Sequence, residues 1–280
     1  LTTQAQMDAV KYLKGIEHVV DVKELSISSS HLSILPEFSE DAKIENIEVD
    51  AYNVTNIDSL TRLKYLKDIR LNTKVENYDL LKDMLLLEKI KLSGLAVREV
   101  NVLEKLKNLT ELSLSYLSVE NLDVLSKLEN LKSLSLEGLS LENYDFLQKL
   151  SQLEKLKVSS TSINNWSFVQ DYQDLIELKL NYSSFYDLKL LNQMSNLEFL
   201  EIKGARELDV LSGIENLTSV KHLIIKNTKI SDVSLIQTLV SLESLDLSDN
   251  ENIKKNPENC PINSKIELLD LFCRDWIERN

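Results

Sequence analysis

An apolar-x-x-apolar-x-apolar motif recurs eleven times, its middle apolar residue at Leu25, Ile47, Ile69, Ile90, Leu112, Leu134, Leu156, Leu178, Leu200, Leu223 and Leu245. Eight of the ten intervals are 22 residues, and the others are 21 and 23. A period held this closely means one small unit stacked on itself. Within a unit, Leu112 and Leu114 alternate with Glu111, Ser113 and Ser115, the period of two of a strand with one buried face. Val119, Leu122, Leu125, Leu128 and Leu131 then follow, mostly every third residue, which suits a 3₁₀ turn whose positions i and i+3 eclipse. Each repeat is thus expected to hold one short strand and one 3₁₀ or irregular return segment. Such a unit cannot bury its leucines alone, so the strands are expected to lie side by side and parallel around a continuous apolar column.

The repeat runs unbroken over 22–250 and predicts one elongated body without an internal linker; only 5 Gly and 3 Pro occur in the whole chain. The ends of such an array expose core leucines and need covers. Thr3 and Gln6 have capping-box spacing, and Met7, Val10, Tyr12 and Leu13 offer an apolar side before Gly15, so 1–21 is read as an N-terminal helical cap. After the break at Asn256-Pro257, Ile266, Leu269, Phe272, Cys273 and Trp276 fall at helical intervals, which predicts a helix over 265–278 within a C-terminal cap, 251–280. Cys260 and Cys273 are the only cysteines, and both sit in that last element. Their placement fits a stapling disulfide or two buried thiols better than a redox or metal site.

The chain resembles the leucine-rich-repeat superfamily, in its 22-residue class, which includes bacterial internalins and the leucine-rich regulatory subunit of a eukaryotic protein phosphatase. The likeness is carried by stretches such as Leu223-Ile224-Ile225-Lys226-Asn227-Thr228-Lys229-Ile230-Ser231-Asp232-Val233 and Leu242-Glu243-Ser244-Leu245-Asp246-Leu247-Ser248-Asp249-Asn250. It implies an α/β solenoid: a leucine-rich-repeat horseshoe with a parallel concave β-sheet, a 3₁₀ or irregular convex side and terminal helical caps. The stretch from Cys260-Pro261 to Phe272-Cys273 resembles the C-terminal cap of some bacterial members, and a paired disulfide there implies an oxidising compartment. One column departs from the family. Where asparagine is common, this chain has Ser30, Tyr52, Lys74, Leu95, Leu117, Leu139, Thr161, Ser183, Ala205, Thr228 and Asn250. Serine and threonine are expected to do part of the asparagine's work, and repeats four to six to depart from regular geometry.

A net charge of −13 argues against gripping nucleic acid or an anionic membrane. The longest apolar runs, such as Met84-Leu85-Leu86-Leu87, are far short of the ~18 residues of a membrane span, so no membrane insertion is expected. The numbering begins at Leu1, which fits a trimmed chain and makes the absence of a signal peptide uninformative. His18, His31 and His222 are too far apart in repeat order to share a site, and metalloprotease, phosphate-loop and nucleophile-elbow sequences are absent. Cys273-Arg274-Asp275 matches a short element of bacterial leucine-rich-repeat ubiquitin ligases, but a cap cysteine is the simpler reading. Asp249-Asn250-Glu251-Asn252 is too short for a calcium loop. Asn-x-Ser/Thr triplets at Asn53, Asn108, Asn165, Asn181 and Asn216 are near chance in so Asn- and Ser-rich a chain. No cofactor and no catalysis are expected.

The same frame picks out the side chains that face away from the core. The column between the paired leucines reads Ser26, Glu48, Arg70, Lys91, Ser113, Ser135, Lys157, Lys179, Glu201, Ile224 and Asp246, a cationic middle between acidic ends. Tyr116, Tyr182, Phe199 and His222 gather beside it, with Lys155. Aromatics beside cations are the residues protein interfaces use as anchors. The competing reading is structural: lysines neutralise Glu154, Glu177, Glu198 and Glu201 across strands, and Tyr182 stacks on Phe199. The functional expectation is a monomeric, non-enzymatic recognition module that binds a protein of unknown identity on its concave face over repeats five to ten. The resemblance places it among bacterial exported or surface proteins, or alternatively as a cytoplasmic scaffold or regulatory subunit.

Overall fold

The structure is a computed structural model that describes residues 15–76, 78–94, 97–141 and 143–253 in full, and 3–6 and 267–268 by backbone alone. The chain falls into two compact units, Leu1–Phe146 and Leu147–Asn280.

The first unit holds strands β1 (Thr3–Gln6), β2 (Glu24–Ser28), β3 (Asn46–Asp50), β4 (Asp68–Asn72), β5 (Lys89–Ser93), β6 (Glu111–Ser115) and β7 (Ser133–Glu137), each paired in parallel with the next. The register aligns Leu25, Ile47, Ile69, Ile90, Leu112 and Leu134 in one row and Ile27, Val49, Leu71, Leu92, Leu114 and Leu136 in another, all of them buried. Because side chains alternate along a strand, a slip of one residue would turn both rows outward, so the leucine period itself fixes the register. The second unit repeats the scheme with β8 (Lys155–Ser159), β9 (Glu177–Asn181), β10 (Phe199–Lys203), β11 (His222–Lys226), β12 (Ser244–Asp246) and β13 (Glu267–Leu268). Its inner row is Leu156, Leu178, Leu200, Leu223 and Leu245.

The return segments carry short 3₁₀ turns, such as Asp58–Arg62, Asn101–Lys105 and Asp123–Lys127 in the first unit and Ser167–Asp171 and Ser234–Thr238 in the second. Parallel strands on one side and 3₁₀ turns on the other make this a leucine-rich-repeat solenoid fold.

The helical caps expected at the ends are not shown, and the few residues described there include two short strands. Thr3–Gln6 is a strand rather than a capping box, pairing with β2 at the repeat spacing, Thr3 opposite Leu25. An open edge of β2 offers unpaired backbone groups, and a segment at the right spacing satisfies them. Gly15, expected to end a helix, opens the 3₁₀ turn Ile16–His18 with φ 97°. Glu267–Leu268 pairs with β12 where a helix was expected. Met7, Val10, Tyr12 and Leu13, the rest of 265–278, Cys260 and Cys273 lie outside the described residues, as does Leu95.

The asparagine column survives only at the end of the array. Asn250 is buried; its amide donates to the carbonyls of Ile225 (2.6 Å) and Leu247 (2.8 Å), and its Oδ1 accepts from the Thr228 N–H (2.9 Å) and hydroxyl (2.7 Å). Thr161 and Ser183 do not substitute for it, because their buried hydroxyls find no partner. Other columns supply the missing polar work. Asn121 and Asn143 in the first unit, and Asn165, Asp187 and Asp232 in the second, each accept the backbone N–H two residues on and so open the following 3₁₀ turn. The amides of Asn108 and Asn130 donate to Leu85 and Lys107 carbonyls one repeat back (2.9 and 2.8 Å), as Asn196 does to Gln173 (3.3 Å). Leu117 and Leu139 are buried as core, and the strands of repeats four to six, β5 to β7, keep five residues each in continuous register.

Before β3, Glu45 accepts Lys23 at 2.7 Å and Lys67 at 2.9 Å, and these two hydrogen bonds, reinforced by both charges, hold its carboxyl down to about 2. A carboxyl held below its unfolded value stabilises the fold above that value and loses the contribution as pH falls through the folded one. Glu45→Gln is therefore expected to flatten the acid limb of the stability curve between pH 4.5 and about 2, read by urea unfolding at successive pH values. An unchanged limb would show the pair to be broken in solution.

Candidate functional site

The candidate face is the side of each strand turned away from the leucines. In the second unit its first row runs Lys155, Glu177, Phe199, His222 and Ser244; its second runs Lys157, Lys179, Glu201, Ile224 and Asp246; and its third runs Ser159, Asn181, Lys203 and Lys226. The backbone is held by the ladder on both sides, so these side chains stand on a rigid base.

Lys155 (3.7 Å) and Lys179 both pair with Glu177, and the Lys179 ammonium sits 4.7 Å from the centroid of the Phe199 ring. That contact satisfies the geometry of a cation–π interaction. Phe199 also meets His222, with ring centroids 6.0 Å apart and the rings tilted by 42°, and His222 Nδ1 lies 2.8 Å from the Ser244 hydroxyl. Glu201 is buried although it faces outward, taking the Asn181 amide at 2.6 Å and the Lys203 ammonium at 2.7 Å. Burial raises its carboxyl, but the hydrogen bonds from Lys203 and Asn181 and the charges of Lys203 and Lys179 outweigh this and hold it below the ordinary range. Lys226 pairs with Asp246 at 3.2 Å and Asp249 at 3.5 Å.

The expected stacking of Tyr182 on Phe199 is absent, because the two stand at opposite ends of the strands. Phe199 begins β10, whereas Tyr182 follows β9 in left-handed backbone, φ 50°, and its ring lies over Gly204 of the next repeat. A Cβ on Gly204 would sit 2.7 Å from that ring, so glycine is what makes the space. The first unit holds the same device: Tyr116, φ 55°, lies over Gly138, where a Cβ would come within 2.4 Å. Tyr116 also donates its hydroxyl to Glu137 at 2.9 Å, and this bond to a carboxylate raises its phenol above the ordinary value. Left-handed backbone at a bulky residue costs energy. Both rings nevertheless stay about half exposed or more, at 50% and 64%.

Of the other expected residues in the first unit, Arg70 and Lys91 are opposite one another on β4 and β5. Arg70 is engaged by Asp68 through two hydrogen bonds, 3.0 and 3.3 Å, while Lys91 is exposed and forms no ion pair among the described residues. In the second unit the structure thus gathers Lys155, Lys157, Lys179, Phe199 and His222 and sets Tyr182 apart from them. The expected neutralisation across strands holds for Glu177 with Lys155 and, just before the strands, for Glu198 with Lys221 at 2.8 Å, whereas Glu201 is neutralised within its own strand by Lys203. The amides of Asn53, Asn108, Asn181 and Asn216 are spent on internal hydrogen bonds, which disfavours their triplets as glycan sites.

A residue not singled out from sequence borders this cluster. Ile176 precedes β9, is 39% exposed, and accepts the Phe199 N–H on its carbonyl at 3.1 Å. Reading the column directly before each strand would have found it, since the other members of that column are charged, apart from Thr110.

No protein-family profile matches the sequence, and no curated protein does. Solved structures match over most of its length. An internalin (inlF) of Listeria monocytogenes is 21% identical, with 96% of this chain and 82% of that one covered and a TM-score of 0.70. A leucine-rich-repeat protein of Leptospira interrogans is 21% identical, with coverage of 95% and 70% and a TM-score of 0.76. A second Listeria monocytogenes internalin (inlC2) is 22% identical, with coverage of 74% and 81% and a TM-score of 0.52. At such identities the likeness carries the fold, and the site rests on this chain's own residues.

Proposed function

We propose that the chain is a non-enzymatic protein-recognition module that binds a protein partner on the outward strand face of repeats five to ten. The observation that supports this most is the cluster of Lys155, Lys179, Phe199 and His222, with aromatic surface and directed charge held on a rigid sheet. In this reading residues 22–250 are the recognition array, 1–21 and 251–280 are its end covers, and the chain acts as a monomer. Likeness to Listeria internalins favours a bacterial exported or surface protein over a cytoplasmic scaffold.

Alanine at Lys157, Lys179, Tyr182 and Phe199 together is expected to abolish capture of a protein that the immobilised wild-type chain retains from extracts of its native cell or of that cell's host. Anchor residues of this kind carry roughly 2 kcal/mol or more each. Circular dichroism checks that the variant is folded. Equal capture by the folded variant removes the site from this face.

A further inference from the structure

The outward side chains of β6 and β7 in the first unit are mostly hydroxyls. Ser113 and Ser115 on β6 and Ser133 and Ser135 on β7 alternate with Leu112, Leu114, Leu134 and Leu136, which are buried, so the serines leave the sheet on its outward side. The register sets Ser113 opposite Ser135, Ser133 opposite Glu111 and Ser115 opposite Glu137. Where β3, β4 and β5 raise Glu48, Arg70 and Lys91 in the middle row, β6 and β7 raise only serine, and the short side chains make a shallow floor.

None of the four hydroxyls has a hydrogen-bond partner among the described residues, although Ser115 is only 7% exposed. A hydroxyl so placed is a donor and an acceptor that the fold leaves to an occupant. Tyr116 closes one end of the floor. It follows Ser115, its hydroxyl reaches Glu137, and its ring is backed by Gly138 and half exposed. The backbone there does not call for a tyrosine: glycine carries left-handed φ without strain, as Gly138 does at 61°, and the Tyr116 N–H bond to the Glu137 carbonyl, 2.8 Å, needs no side chain. The charges cancel. Counting the residue before each of β5, β6 and β7 together with the outward side chains, Lys89, Lys91 and Lys132 stand against Glu88, Glu111 and Glu137.

We propose that this floor binds a neutral oligosaccharide. The sugar's hydroxyls donate and accept as the serines do, and the C–H face of one ring lies on the exposed part of Tyr116, where C–H groups meet the negative face of an aromatic ring. β5 to β7 offer a strip of about 13 Å along the strands and ~10 Å across them, room for a short oligosaccharide. A neutral floor gives a charged ligand no net attraction. Protein interfaces are depleted in serine and centre on several large anchors, whereas this floor has one ring. The site goes beyond the protein-binding reading, whose support is the separate cluster of Lys155, Lys179, Phe199 and His222.

An array of neutral, sialylated and sulfated oligosaccharides, probed with the full chain, tests this. Retention on neutral members is expected, and the strongest of them, titrated calorimetrically, should bind at least tenfold more weakly to Tyr116→Gly and to the double variant Ser113→Leu with Ser135→Leu. Glycine suits φ 55°, so Tyr116→Gly removes the ring without straining the fold. The variant with alanine at Lys157, Lys179, Tyr182 and Phe199 should bind the same sugar as wild type does, which separates this site from the protein interface. Retention confined to charged sugars, no retention at all, affinity unchanged in Tyr116→Gly or in the folded serine variant, or loss in the fourfold alanine variant would overturn the proposal.

Discussion

Replacing Trp166 with alanine is expected to remove about 3–5 kcal/mol of stability from the second unit, the range seen for large aromatic side chains deleted from packed cores. Trp166 is fully buried and holds the aromatic centre of that unit together. Its ring stacks on Phe168 at 5.8 Å and meets Phe185 edge-on at 5.5 Å, while Phe168 packs against Tyr172 at 5.8 Å. Tyr172 in turn donates its hydroxyl to the Leu147 carbonyl at 2.7 Å, so the cluster ties the return segments of successive repeats together. In a stacked array a rung is stabilised by its neighbours, and a cavity at one rung weakens the interfaces on both sides. Urea unfolding followed by tryptophan-independent circular dichroism measures the loss. Val240→Ala, at a side chain 77% exposed, is the control and should stay within about 0.5 kcal/mol of wild type. Equal effects would mean that the inside-outside frame is wrong.

Gly213→Ala is the second large effect expected. Gly213 opens the turn Ile214–Asn216 with φ 106°, and an added Cβ would sit 2.6 Å from the Lys189 nitrogen and 2.8 Å from the Leu188 carbonyl carbon. Those atoms are backbone and cannot swing aside. Strain at such a φ costs about 1–3 kcal/mol and overpacking about 1–3 more. The chain carries its own control in Gly15, which opens Ile16–His18 at φ 97° with nothing within 4 Å of a built Cβ. At both sites the glycine N–H donates to the Glu two residues on, at 2.8 Å. Gly15→Ala therefore reports the strain alone, and the difference between the two unfolding energies reports the clash. If Gly213→Ala is no more damaging than Gly15→Ala, the close approach to Lys189 is not present in solution.

The inward half of the chain was plain in its sequence because it obeys one rule: leucine-type residues at fixed spacing can all be buried only in one register. Leu112, Leu134 and Leu156 needed no further information. The ends were not, since Thr3 and Gln6 satisfy a helix-capping pattern as well as a strand's place one period before Leu25, and only the open edge of β2 decides between them. The asparagine column showed its own loss but not its replacement, because Asn121, Asn143, Asn165 and Asp187 act locally, two residues on, from a different column. On the outward face the rows were legible, yet the pairings within them were not. Whether Lys179 goes to Glu177 or lies over Phe199 depends on side-chain conformation; it does both. Tyr182 was misplaced beside Phe199 because its left-handed backbone, which turns the ring toward Gly204, leaves no trace in the spacing.

The tyrosine rings laid over glycine make the rungs unequal as hereditary parts. A gene built from 22-residue units invites loss or duplication of a unit, and the leucine rows would tolerate either, since every copy restores the same register. Removing residues 183–204 would leave Leu178 and Leu223 at an interval of 23, one the array already holds, but bring Asn227 to the place of Gly204, setting a Cβ under the ring of Tyr182. Tyr116 and Gly138 are bound to one another in the same way. Each ring fits over its own glycine, so exchanging rungs would part the two, whereas exchanging one buried aliphatic residue for another would not.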